Sequence, residues 1–560
     1  MSTSSAPAAR DPGLRRAVIG GLAVTLASVA FGLVAFIWLF LAQRTDSIPQ
    51  LVGRDTQFYA ALTPNLRQAP NITRLRAAFP ELLDDTAPSP GGGQIDSLLG
   101  VDFSSEIAPW IGAEMALAVS DLNAETIPLD REELAERATA LFIFASRDDP
   151  TALRFLDGYR AKREAAGQRL TTTQVGEATL YTQEGATDSL VASFGLVRHY
   201  VIFTNRPAAL TALAERDPQS ADTLQASPRF QRVQRGLPTD RIGYLYIDGP
   251  ALDGLTRTLS GSGLAEQLPA LKALEGFGLA VNLLAEGVQL HTLAAFDPAF
   301  LPGPAAKQLA EGRLPVDAAR AGQVSREALA LATFRLPAGL DKQLDTALAT
   351  QPELAAQLSG LEQQLGFDVR RDLLAWLAGE GTLAVLPGET IGATSLPFTG
   401  YLALRPLDQH AAMIGVTAIV EAIVQTSGGQ LVLEPTLVGG AGWQALVEPQ
   451  AGTVLGGYGF VGEDLVLAVG ARALLAASTG GQTPVGTELR YEQVTNGLPS
   501  PNGGLIYVDL ARAFALADQD QAAPAVLERL RPITALAAAG QPGIDNNGLA
   551  RAQLLLILGE

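Results

Sequence analysis

No cysteine occurs in the 560 residues of this chain. That removes disulfides, thiolate metal sites and cysteine nucleophiles together. It does not fix the compartment, because a chain this long can build a core without disulfides. Histidine is nearly as scarce. His199, His291 and His410 are the three present, none lies three or four positions from another, and no H-E-x-x-H occurs, so a histidine metal site is not expected. Carboxylates are plentiful but are not spaced for a cation. RDD (147–149), LDD (83–85) and DQDQ (518–521) lack the glycine and distal glutamate of a calcium loop.

Positive charge is also short. Forty Lys and Arg face 58 Asp and Glu, a formal net charge of -18, which opposes a phosphate backbone and excludes nucleic acid as a partner. No phosphate-binding G-x-x-x-x-G-K-[ST] and no G-x-S-x-G is present. GYGFVG (457–462) fits G-x-G-x-x-G, but the following EDLVLAV reads as a second strand, so the glycines serve a hairpin rather than a dinucleotide. No catalytic residue, cofactor or metal ligand is therefore assigned.

Long uncharged runs are absent except for one. From Ala17 to Ala42 the chain reads AVIGGLAVTLASVAFGLVAFIWLFLA. At about 1.5 Å per residue such a helix exceeds the ~30 Å hydrocarbon core. It is longer than the apolar region of a signal peptide and ends without a small-x-small site. Arg10, Arg15 and Arg16 precede it, and Arg44 and Asp46 follow. The expectation is a cytoplasmic tail (1–16), a single transmembrane anchor (17–43) and an extracytoplasmic remainder, with Trp38 at the outer interface. The lipid bilayer is then the one partner expected outright.

What is abundant is apolar content, 47% of residues, with 57 Gly and 34 Pro spread along the chain as turn punctuation. Strand-like runs ending in a capping residue, often with Pro close behind, recur: FYAALTP (58–64), LFIFASRDDP (141–150), YVIFTNRP (200–207), IGYLYIDGP (242–250), LALATFRLP (329–337) and GLIYVDLA (504–511). Thr63, Asn205, Asp248 and Asp509 are expected to cap the helices that follow. Tight turns at 285–287 and 462–464 imply hairpins. Helices packed on mainly antiparallel sheets, an α+β fold, are predicted.

The chain also repeats itself. GVDFSSEIAPWIGAEMALAV (100–119) aligns without a gap on GFDVRRDLLAWLAGEGTLAV (366–385), and RFQRVQRGLPTDRIGYLYID (229–248) aligns on RYEQVTNGLPSPNGGLIYVD (490–509). A tandemly duplicated ectodomain is expected, with repeat 1 at 44–297, a connector at 298–326 and repeat 2 at 327–560. Within the first phrase, Asp102 and Asp368 read as N-caps. Glu106 and Asp372 lie in the first helical turn, and Phe103, Ile107, Trp110 and Ile111 form one helical face. Gly112-Ala113 and Ala378-Gly379 read as the helix stop. Glu114 and Glu380 have no evident folding role. Either they line a ligand groove, binding or protonating something, or each accepts backbone or arginine hydrogen bonds near the tryptophan. Tyr244, Tyr246 and Tyr507 alternate on strands and read as packing residues rather than ligand-stacking ones.

Three cues together resemble a bacterial family known as domain of unknown function 3352. They are DTQFYAALTP after the apolar segment, the acidic-φ-φ-x-W-φ-small-small-E phrase (106–114 and 372–380), and GLP followed by Y-[IV]-D. The resemblance implies an N-terminal anchor and a long extracytoplasmic region, and it supplies no activity and no catalytic residue. The function expected is a binding or scaffolding module of the cell envelope, for a lipid, peptide, envelope protein or polymer. The alternatives are a hydrolase using a cleft carboxylate and a purely structural spacer.

Overall fold

The computed structural model describes residues 47–559 apart from 64–68, 80–98, 123–135, 187–189, 261–271, 301–313, 338, 351, 366–367, 375, 392–393 and 520–529. The apolar segment 17–43 lies outside the described residues. Among those described, no helix is long and apolar enough to cross a membrane. The chain forms two compact units. The first comprises the chain as far as Ala285 together with Leu290–Pro302; the second comprises Glu286–Gln289 together with Gly303–Glu560.

The first unit holds β1 (Phe58–Leu62), β2 (Ile111–Ser120), β3 (Thr139–Ser146), β4 (Leu170–Val175), β5 (Ala178–Gln183), β6 (Ser193–Val197), β7 (Tyr200–Thr204), β8 (Gly243–Asp248), β9 (Leu274–Leu283) and, from Leu290 on, β10 (Gly287–Phe296). They pair in the order β4-β5-β6-β7-β3-β2-β1-β8-β9-β10, antiparallel at every pairing whose register is resolved. Helix Asp149–Ala165 crosses the sheet between β3 and β4. Asp148 caps it by accepting from Thr151 N, and Pro150 at its start has no N–H to leave unpaired. Its own Tyr159 and half-buried Phe155 pack with Trp110, Phe144, Phe194 and Phe203 in an aromatic core. Removing a tryptophan from such a core costs about 3–5 kcal/mol.

The second unit holds β11 (Ala330–Leu336), β12 (Gly379–Ile391), β13 (Thr394–Arg405), β14 (Val432–Val438), β15 (Ala441–Glu448), β16 (Thr453–Val461), β17 (Asp464–Val469), β18 (Leu505–Val508), β19 (Ile533–Gly540) and β20 (Leu549–Leu558). Their order is β14-β15-β16-β17-β13-β12-β11-β18-β19-β20, again antiparallel. Helix Gln409–Thr426 lies between β13 and β14, capped by Asp408. The core of this unit has fewer buried aromatics than the first: Trp376 and Tyr458 pack with Leu404, Ala412, Val416 and Leu465. A Cβ on Gly415 would meet Asp372 O at 2.0 Å and Trp376 Nε1 at 2.4 Å, so glycine lets this helix seat on the tryptophan turn.

The expected α+β class and antiparallel sheets are present, and GYGFVG is a hairpin between β16 and β17 as read. Three local expectations change. The turn after Asp102 is not an α-helix running to Ile111 but five residues, Phe103–Ile107, closed by Ala108 N donating to Phe103 O. Pro109 then ends it, and β2 begins at Ile111, so Gly112-Ala113 are strand rather than helix stop. Asn205 does not start the next helix. Its amide spans β3 instead, accepting from Ala140 N at 2.8 Å and donating to Ala138 O at 2.7 Å.

Candidate functional site

The repeated phrase makes the same bonds twice. Asp102 accepts from Ser105 N at 2.7 Å, and Glu106 returns a carboxylate to Asp102 N at 2.7 Å. In the second unit Asp368 accepts from Arg371 N at 2.9 Å, and Asp372 returns to Asp368 N at 2.8 Å. Reciprocal capping of this kind satisfies donors the helix start cannot. Trp110 Nε1 donates to Glu106 O at 2.8 Å, and Trp376 Nε1 to Asp372 O at 2.7 Å. The Arg371 guanidinium beside Asp372 holds its carboxyl below the ordinary carboxylate range.

The unexplained glutamates occupy corresponding corners but are used differently. Glu114 is 1% exposed. It accepts from Ser47 N at 2.9 Å, Ile48 N at 3.0 Å, Ser47 Oγ at 3.0 Å and Tyr200 OH at 3.2 Å. A buried carboxylate requires such donors. Here they belong mainly to the segment that leads into the unit, Ser47–Val52, whose Ile48 and Val52 are fully buried. Glu380 instead pairs with Arg335 on the neighbouring strand, and Arg335 also donates to Pro315 O at 2.9 Å. Around it Arg405 and the buried Arg320 converge on Asp464, at 3.2 and 2.9 Å. In the first unit the shared glutamate binds the segment preceding the first strand directly; in the second it pairs with Arg335 of the first strand, which in turn holds Pro315 of the preceding segment. Serine, tyrosine and backbone N–H are the donors in the first, arginines in the second. Ser47, Tyr200, Arg320 and Asp464 were not singled out from sequence, because their partners are up to 153 residues away.

A second repeated joint lies on β8 and β18. Arg229 pairs with Asp248 at 3.3 Å, and Arg490 holds Asp509 with two contacts of 2.8 Å. Phe230 meets Tyr246 edge-on at 5.2 Å, and Tyr491 meets Tyr507 edge-on at 5.1 Å. Tyr244, Tyr246 and Tyr507 are buried packing residues. Burial pushes the Tyr246 and Tyr507 phenols far up and Tyr491 to about 12, and it raises the Asp248 carboxyl. Asp509 caps its helix by accepting from Arg512 N at 2.9 Å, as expected.

The His, Asp and Glu residues form no cluster able to hold a metal among the described residues. His199 Nδ1 contacts Asp149 at a hairpin tip and is 79% exposed, while the Ser146 hydroxyl nearby makes no hydrogen bond.

One sheet face of the second unit carries exposed apolar residues. Cross-strand partners share a face. One row runs Leu467, Leu402, Leu383, Ala332, Ile506, Ala538, Leu554 over β17, β13, β12, β11, β18, β19 and β20. The next runs Val469, Gly400, Val385, Ala330, Val508, Leu536, Leu556. Neither row contains a charged or polar side chain and none of their members is fully buried, although Leu402 and Leu467 pack against the Trp376 core. Leu383, Ile506 and Val469 are 44, 51 and 57% exposed. The opposite face, with Leu331, Ala384, Tyr401, Tyr507, Ala537 and Leu555, is buried.

A family model described as "Protein of unknown function (DUF3352)" matches residues 94–558. The chain belongs to that family. The match takes in both tryptophan turns, Glu114, Glu380 and both Arg–Asp joints, and membership supplies no activity for them. A comparison with curated proteins matched none. Among solved structures, those titled "Structure of crystal form I of TP0453" and "Structure of crystal form III of TP0453" are similar at 16 and 14% identity. They cover 48 and 47% of this chain and 81 and 84% of those chains, with TM-scores of 0.23 and 0.24. Likeness at that level carries no argument about function.

Proposed function

We propose that this is a single-pass, membrane-anchored extracytoplasmic protein, built by tandem duplication, whose second unit binds an apolar ligand on its open sheet face. The duplication is supported by the same strand order in each unit and by the tryptophan turn and the Arg–Asp joint, whose hydrogen bonds and ion pairs recur at corresponding residues. The anchor rests on the uncharged run 17–42 and its flanking arginines.

The binding reading is carried by the two apolar rows. Seven strands at about 4.8 Å spacing span roughly 30 Å, and two rows make a patch of roughly 300 Å² or more. A patch of that size, without a charge, suits a lipid chain or an apolar peptide face. The hydrolase alternative would need a carboxylate that reaches a substrate, whereas Glu114 and Glu380 are engaged by donors of their own unit.

The test is lipid extraction and mass spectrometry of the full chain, purified in parallel with a Leu383→Asp/Ile506→Asp variant. Both positions are about half exposed, so the variant should fold with an unchanged circular dichroism spectrum. The wild-type chain should retain an apolar species that the variant loses several-fold. Equal retention by both would defeat the reading.

A further inference from the structure

We infer that the Glu114 corner is a juxtamembrane latch that turns one end of the first unit's sheet onto the phospholipid surface. The inference rests on the anchor proposed above. Between the predicted span, which ends at residue 43, and docked Ser47 lie only Arg44, Thr45 and Asp46. Fully extended, four steps of chain reach about 14 Å at most. Whatever surrounds Ser47 is therefore held within that distance of the end of the apolar span.

The latch is built rather than incidental. Glu114 takes two backbone N–H groups and a hydroxyl from Ser47 and Ile48. The Tyr200 hydroxyl shares the Glu114 carboxylate and lies 2.5 Å from Ser47 Oγ. The following residues continue the attachment: Arg216 donates to Leu51 O at 2.8 Å, and Leu224 N to Val52 O at 3.0 Å. Ile48 and Val52 are fully buried. A segment fixed by buried hydrogen bonds and apolar contacts cannot act as a loose tether.

The sheet end that this selects is defined by register. Glu114 lies near the start of β2, Ile111 pairs with Ser146 at the end of β3, and Ser146 N donates to His199 O at 2.7 Å. The β6–β7 tip, Arg198 and His199, and the exposed Arg147 belong to this end. The other end is marked by Ser120 opposite Thr139 and by exposed Glu136. The eight residues of β3 separate the two by about 26 Å. Exposed arginines and a histidine at the near end, beside Asp148 and Asp149, suit a zwitterionic headgroup layer.

The absence of native cysteine makes the test direct. The full chain, carrying either His199→Cys or Glu136→Cys, is labelled with a fluorophore and reconstituted into phosphatidylethanolamine–phosphatidylglycerol vesicles containing headgroup-nitroxide lipid. Quenching at position 199 should exceed that at 136 several-fold. Adding Glu114→Ala should shrink the difference, while Glu114→Gln, which keeps an acceptor, should preserve most of it; circular dichroism of each checks the fold. Equal quenching at both positions in vesicle-bound protein would overturn the latch but leave the anchor standing. Protein that fails to float with the vesicles would overturn both.

Discussion

At the scale of single residues, the recurring carboxylates of the repeated phrases are fasteners, and their strength depends on their donors. Arg490 grips Asp509, which is 3% exposed, with two short bonds, and Arg229 makes one longer contact to Asp248, which is 17% exposed. Breaking a fully buried pair costs about 3–5 kcal/mol. Arg490 is itself 38% exposed, so Arg490→Ala should cost about 2 kcal/mol by urea unfolding, and Arg229→Ala less. His291 gives a pH prediction. Burial pushes its pKa below the ordinary 6.5, and its Nε2 has no hydrogen-bond partner. The unfolded chain then takes the proton first, so this stability is present above about pH 6.5 and lost as pH falls below it. His291→Gln should flatten the stability profile between pH 7 and 5 relative to the parent chain. Reciprocal capping by Asp102, Glu106, Asp368 and Asp372 was legible because cap chemistry is local. For Glu114 and Glu380, the reading in which each accepts backbone or arginine hydrogen bonds matches the bonds from Ser47, Ile48 and Arg335; which segments supply the donors was not legible, because they are distant in sequence.

At the scale of elements, alternation and turn chemistry correctly predicted the strands within FYAALTP, IGYLYIDGP and GLIYVDLA. They could not say which sheet face a helix covers, because both faces of β11, β12 and β18 carry apolar residues. The open rows therefore emerged only with register. The α-helix expected over 103–111 followed a true apolar periodicity, but Pro109 has no N–H to continue it, and the structure spends Ile111 on a strand. Helix seating is testable at two glycines. Gly415→Ala places a methyl against Asp372 O and should cost more than about 2 kcal/mol. Gly158 in the corresponding helix has nothing within 4 Å of a built Cβ. Gly158→Ala should be neutral or gain up to about 1 kcal/mol from helix propensity. Thermal denaturation of the two variants should shift in opposite directions, or only for Gly415.

At the scale of the whole molecule, two units with one strand order carry different cores and different fastenings. The first unit has aromatic packing and a lead-in segment bound by Glu114; the second has a core with fewer aromatics and an exposed apolar sheet face. The repeat was visible in sequence because cap, tryptophan and Arg–Asp joints constrain residue type. The distribution of labour between units was not, because it lies in exposure, which composition does not encode. The most direct measurement uses the full chain in its own membrane with a photoactivatable diazirine fatty acid incorporated into the lipids, followed by peptide mass spectrometry. Adducts are expected on 17–43 and, separately, on peptides containing Leu383, Val469 and Ile506. Adducts confined to 17–43 would contradict apolar binding on the sheet face.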